Sequence, residues 1–243
     1  MHVAALFLAF LPLLSAQADR FSVPACAGPD RELAARSTFL ICHSSALRVP
    51  IWTGYELKPE FLHGSASRPK HFRHDDELSG AAAYDSDYRN SGYSRGHMVP
   101  AADFAWSDAS IRATFLLSNA VPQKQSANAG TWRKIENSIR RMAASSTAVY
   151  VFSGVLFEGE IVEHIGAHRV AVPTHTFKVV LAVRGDKMSM YAAIVPNADI
   201  VDEPLENFMV SVEEVECRTG LHFFGALDDS DVRMSPAYGT GIW

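Results

Sequence analysis

The chain is poor in cysteine, has no long apolar run and carries no excess of positive charge. Only three cysteines, Cys26, Cys42 and Cys217, occur in 243 residues, and none forms a C-x-x-C pair. That count and spacing argue against a disulfide scaffold and against a cysteine zinc site. Two readings stand side by side: a Cys26–Cys42 bridge closing a short loop with Cys217 left over, and three buried thiols. The apolar run at residues 3–14 is too short to span a bilayer and has the length of a secretory core segment. It precedes Ser15-Ala16-Gln17-Ala18, a small-residue cleavage pattern. Residues 1–18 therefore read as a signal peptide, and residues 19–243 as one domain that is secreted or periplasmic. A mitochondrial address is the alternative, although no arginine precedes Arg20. Lysine and arginine number 22 against 27 aspartates and glutamates, a formal net charge of -5. This excludes a histone-like coating of nucleic acid but not an enzyme that grips a few phosphates locally. With 48% apolar and 20% charged residues, and no internal repeat, disorder and collagen are excluded as well.

The remaining pattern mixes short strands and helices without regular alternation, which predicts an α+β fold with a mainly antiparallel sheet. Residues 38–56 read as two strands joined by a polar turn. Residues 57–95 are rich in Gly, Ser, His and Asp and read as a long loop. Residues 108–118 and 128–144 have helical character, and 148–155, 169–183 and 188–196 are β-rich, the middle run interrupted at Pro173. Residues 211–219 predict a helix that starts at a serine cap and stops at Gly220.

The chemistry concentrates between residues 93 and 136. Arg95-Gly96-His97 leads into Met98-Val99-Pro100, a turn-forming context that presents an imidazole. A histidine titrating near neutrality suits a general base, and a neighbouring arginine fork suits phosphate. Downstream, Asn128, Trp132 and Glu136 are spaced i, i+4, i+8, which predicts one helix face. An amide oxygen and a carboxylate on one face suit a hard cation such as Mg²⁺. Lys124, Arg133, Lys134, Arg140 and Arg141 make the same region locally basic, as a groove tracking phosphates requires. His71/His74 and His164/His168 lack a third ligand and read as loop residues.

The ordered set YSRGHMVPAADF (93–104), TFLLSNAVPQ (114–123) and N-x-x-x-W-x-x-x-E resembles the DNA/RNA non-specific endonucleases of the ββα-metal (His-Me finger) group. LRVPIWTGYEL (47–57), the R-x-x-x-F-x-x-D element from Arg68, HRVAVPTHTFKVV (168–180) and RTGLHFF (218–224) extend the likeness over residues 36–225. The resemblance implies a ββα-metal fold and hydrolysis of DNA and RNA, leaving 5′-phosphate ends. It implies His97 as general base and Asn128 as the one direct protein ligand of Mg²⁺, with Mn²⁺ able to substitute. It implies that Glu136 holds metal-bound waters and that Arg95 and Arg68 bind phosphate. It also implies a homodimer. A catalytically silent relative that only binds nucleic acid or a protein is the alternative. The family motif has Asp before Arg-Gly-His where this chain has Ser94, which bears on loop rigidity and on the orientation of His97.

Overall fold

In strand β9 (His175–Arg184), alternate residues point to opposite faces of a sheet, and both faces are buried. Val180 and Ala182 join one apolar cluster, whereas Phe177, Val179 and Leu181 join another. A computed structural model describes residues 23–159, 162–225 and 227, and the backbone of 232–234. The proposed leader, residues 1–18, lies outside the described residues.

The strands in chain order are β1 (Arg31–Arg36), β2 (Phe39–Ser44), β3 (Val49–Leu57), β4 (Ser94–His97), β5 (Ala120–Gln123) and β6 (Ala148–Leu156). They continue with β7 (His164–Ile165), β8 (Val170–Ala171), β9, β10 (Lys187–Pro196), β11 (Met209–Val210) and β12 (Val232–Met234). The main sheet runs β1-β2-β3-β6-β9-β10-β11, each neighbouring pair antiparallel. Strand β12 adds to β10 in parallel. Helix α1 (Asp108–Thr114) precedes β5, and one face of the main sheet carries helix α2 (Arg133–Ala143), whose Ile135, Ile139 and Met142 pack with Val149, Val151 and Val180. The other face carries α3 (Val212–Thr219), whose Val212 and Val215 pack with Phe152, Phe177 and Leu181. Each large apolar side chain so buried contributes roughly 1.5–3 kcal/mol. The α+β, mainly antiparallel architecture expected from the sequence is the one observed.

Local signals set several boundaries. The Ser211 hydroxyl accepts from the Glu214 N–H at 3.0 Å, and Gly220 takes φ 68°, where a left-handed residue ends α3. Between the end of β3 and the start of β4 the polar stretch forms two 3₁₀ turns, Pro59–Leu62 and Asp85–Tyr88, and a single β-bridge from Arg73 to Leu116. Asp75 anchors that stretch: Arg36 donates to both of its oxygens, at 2.8 and 3.1 Å, and Ser118 donates to one of them. Strand β1 was not evident in the sequence because its apolar pattern is inverted. Leu33 is exposed while Arg36 is buried, and the Arg36–Asp75 pair replaces apolar packing. Cys26 and Cys42 form a disulfide, and Cys217 is free and exposed, so of the two cysteine readings the bridge is the one realised.

Candidate active site

Strands β4 and β5 pair as a small antiparallel sheet, with His97 opposite Ala120 and Ser94 opposite Gln123. The chain then enters a helical turn at Gln125–Ala127, a wide π turn at Asn128–Trp132 and finally α2. Two short strands followed by a helix frame the site. Gly96 is required in β4, because a Cβ there would lie 2.1 Å from the Gln123 side chain. His97 ends a strand and does not stand on the turn that the glycine–proline context predicted. The turn begins only after it.

The backbone around His97 is held from several sides. The Trp132 indole N–H donates to the His97 carbonyl at 3.0 Å. The Met98 N–H donates to the Asn119 carbonyl at 3.0 Å, and the Val99 N–H donates to the Asn119 side-chain oxygen at 2.9 Å. The Asn119 amide donates to the carbonyls of Val99 and Thr114, so this buried side chain orders the loop from both ends. The imidazole lies between Phe72 and Phe115, with ring centroids at 4.7 and 4.8 Å. Its Nε2 is buried without a hydrogen-bond partner. Burial lowers the His97 pKa to about 3, and the nearby Arg68 guanidinium adds to the effect.

Arg68 is exposed and lies over the Phe115 ring at 5.2 Å. Its charge disfavours protonation of His97 and favours the anion of Glu136, so the structure brings these three residues into one electrostatic neighbourhood. Arg73 is tied by its backbone to Phe115 and Leu117, and its side chain is exposed. Arg95 shares the face of β4 with His97 but turns to Asp85, donating to its carbonyl at 2.9 Å and pairing with its carboxylate at 2.7 Å. The Arg95 Nε is buried without a partner. The Ser94 hydroxyl donates to the Gln125 side chain, which ties the hairpin to the turn leading to Asn128.

The i, i+4, i+8 face expected for Asn128, Trp132 and Glu136 needs correction. The π turn and the non-helical Gly130 (φ -97°, ψ -105°) separate Asn128 from Trp132, and only Glu136 follows Trp132 by a regular turn. Such widened turns are frequent at functional sites. Asn128 is half-buried, and among the described residues no hydrogen bond engages its side-chain amide. Glu136 is also half-buried, and burial raises its pKa against the pull of Lys178. Among the described residues no group of three or more His, Cys, Asp or Glu side chains converges. The oxygen donors of Asn128 and Glu136 fit a hard cation that keeps most of its waters, and they do not fit a multi-ligand zinc cage.

The basic groove is narrower than the sequence suggested. Arg140 turns inward to Asp103 at 2.6 Å, whereas Arg141 stays exposed while donating to the Ser138 hydroxyl at 2.7 Å. Arg133 and Lys134 remain exposed, and Lys124 sits 4.5 Å over the Tyr93 ring. His74 stacks on Tyr84, and His168 Nδ1 lies 2.8 Å from the buried Asp87 carboxylate, so both serve as loop residues. Sequence reasoning missed Asp103, which accepts from the Tyr55 hydroxyl at 2.7 Å, and Lys178, which is fully buried. A signal existed for Lys178: a lone charge within the apolar run 176–183.

A hairpin carrying a buried histidine, followed by a helix opening on an unengaged asparagine, defines a ββα-metal nuclease fold. The model of the DNA/RNA non-specific endonuclease family matches residues 17–230, and the chain belongs to that family. It is 37% identical over 206 residues to human "Endonuclease G, mitochondrial", covering 79% of this chain and 69% of that protein. It is 34% identical over 218 residues to "Nuclease C1" of Cunninghamella echinulata, covering 84% and 86%. A chain from the crystal structure of the EndoG/EndoGI complex superposes with a TM-score of 0.80 at 32% identity, covering 83% of this chain and 89% of that one.

Proposed function

We propose that the chain is a divalent-metal-dependent endonuclease that hydrolyses phosphodiester bonds of DNA and RNA with little sequence preference. The observation that carries this reading is the His97 Nε2: a buried ring nitrogen with no partner, on a strand fixed from several sides. Burial and Arg68 keep the imidazole neutral with its Nε2 lone pair free, and they hold its proton affinity well below the near-neutral titration expected from the sequence until substrate arrives. In the mechanism we infer, His97 takes a proton from a water in line with the scissile phosphorus. An arriving phosphate offsets the Arg68 charge, which raises the proton affinity of His97 when the base is needed. Arg68 and Arg95 bind the phosphate oxygens, Arg95 exchanging part of its contact with Asp85. Asn128 would hold Mg²⁺, or Mn²⁺ in its place, directly, and Glu136 would hold its waters. Bound there, the cation supplies Lewis-acid stabilisation of charge on the phosphate and leaving oxygen. As the water oxygen bonds to phosphorus, the P–O3′ bond breaks and the leaving 3′ oxygen takes a proton from solvent, giving 5′-phosphate and 3′-hydroxyl ends. Groups that contact phosphate carry no base information, which accounts for broad specificity.

Location and assembly belong to the same proposal. The Cys26–Cys42 bridge favours a disulfide-permitting compartment, which is compatible with export. The word "mitochondrial" in the names of the animal relatives favours the alternative address. Fractionation of the tagged full chain decides between them. The homodimer implied by the family likeness is tested by sedimentation of the purified protein.

The function is tested by plasmid clearing with Mg²⁺ and with EDTA, for wild type and His97→Ala. We expect cleavage by wild type with Mg²⁺ only, and a 10²- to 10⁴-fold slower rate for the variant, roughly the span of general-base catalysis. Cleavage in EDTA, or near wild-type cleavage by His97→Ala, would refute the reading.

A further inference from the structure

The mechanism leaves one buried charge unused. Lys178 sits in the middle of β9 with no exposed surface, on the face that otherwise contributes Val180 and Ala182 to the apolar core. An ammonium group has three donors, and each has a partner here. The Ser153 hydroxyl, directly across the ladder in β6, accepts at 2.8 Å. The Met98 carbonyl accepts at 3.4 Å. The third side faces the Trp132 ring, whose centroid is 4.2 Å away. These partners are not scattered. Met98 follows His97, and Trp132 donates its N–H to the His97 carbonyl. Consecutive carbonyls at the end of β4 are thus held by Trp132 and by Lys178, and the lysine also rests on that same indole.

We infer that Lys178 is a positioning residue for the hydrolysis proposed above: it fixes His97 through Met98 and Trp132. The inference rests on that functional reading. It explains why a lysine occupies a core position where an apolar side chain of similar length costs less. Desolvating an ammonium is expensive, and replacing buried charges by well-packed apolar groups is often neutral or stabilising. A lysine present only to hold the fold would be a poor choice. A lysine that orders a catalytic strand has a reason to be there.

Lys178→Met keeps the length and removes the charge and all three donors. The steady-state kinetics of this variant are measured on a defined oligonucleotide with Mg²⁺, beside its thermal midpoint. We expect kcat to fall about 10- to 100-fold, the range for groups that orient an active site. KM should stay within about threefold of wild type, since the fully buried lysine offers no surface to substrate. The thermal midpoint should hold or rise. Ser153→Ala, which keeps the charge but removes one tether, should lower kcat several-fold in the same direction. Wild-type kcat in Lys178→Met overturns the inference. So does a Lys178→Met chain that fails to fold beside a Ser153→Ala chain with wild-type kcat, because the lysine then serves the fold alone. If the wild-type chain itself does not cleave, or His97→Ala cleaves equally well, it is the nuclease reading that fails.

Discussion

His43 offers a test of the core electrostatics that leaves the proposed catalytic groups untouched. It lies in β2, 1% exposed, with Nε2 unpartnered, and burial lowers its pKa from 6.5 to about 4 despite the carboxylates of Asp75 and Glu32. The folded state therefore holds this histidine neutral, while the unfolded chain binds a proton below pH 6.5. Between the two values the unfolded state carries more protons, so stability falls as pH falls, the slope reaching about 1.4 kcal/mol per unit. Integrating from pH 7 to pH 5 gives a loss of about 2 kcal/mol from this one group. His97 acts in the same direction, and Glu136, whose pKa is raised by burial, acts in the opposite one. A wild-type curve alone therefore mixes these contributions. His43→Gln isolates the first. Urea unfolding of both proteins at pH 7 and pH 5 yields four stabilities, and any constant cost of the substitution cancels in the difference of differences. The variant should lose about 2 kcal/mol less than wild type between the two pH values. An identical pH dependence in both proteins would refute the assignment of His43 as a neutral core histidine.

Three further outcomes follow from the geometry. Asn128→Ala removes the only proposed direct metal ligand, so half-maximal activity should need at least about tenfold more Mg²⁺, read from a metal titration at fixed substrate; an unchanged titration would exclude Asn128 as ligand. Arg68→Ala should lower kcat more than it raises KM and should move the acid limb of the kcat/KM profile to higher pH, because losing its positive charge eases protonation of His97, whereas Arg73→Ala should change either constant less than about threefold. Equal small effects from both would leave Arg68 as surface charge. Reduction of the Cys26–Cys42 bridge, or Cys26→Ser, should cost about 3 kcal/mol for a closed segment of sequence separation 16, measured by denaturant unfolding with and without reductant; equal stability in both would show that the bridge constrains nothing.

The sequence by itself determined the periodic and capped parts of this protein. The runs that became β2, β3, β6, β9 and β10 alternate or stay apolar over enough residues to be read, and Ser211 and Gly220 mark both ends of α3 through their own backbone chemistry. The order of Arg95, His97, Asn128 and Glu136 was legible for the same reason: each belongs to a short motif with fixed spacing. What local pattern does not encode is where a side chain finds its partner. Strand β1 pairs along β2, and its buried Arg36 finds Asp75 39 residues away. Arg140, read as a groove cation, turns to Asp103 because a buried carboxylate competes with solvent for it. The face shared by Asn128 and Trp132 was overestimated, since a π turn at Gly130 changes the angle per residue without changing the spacing. The low proton affinity of His97 and the whole setting of Lys178 are tertiary facts. Desolvation depends on what surrounds a group in space, and here those surroundings come from β6, the π turn ending at Trp132 and the loop around Phe72.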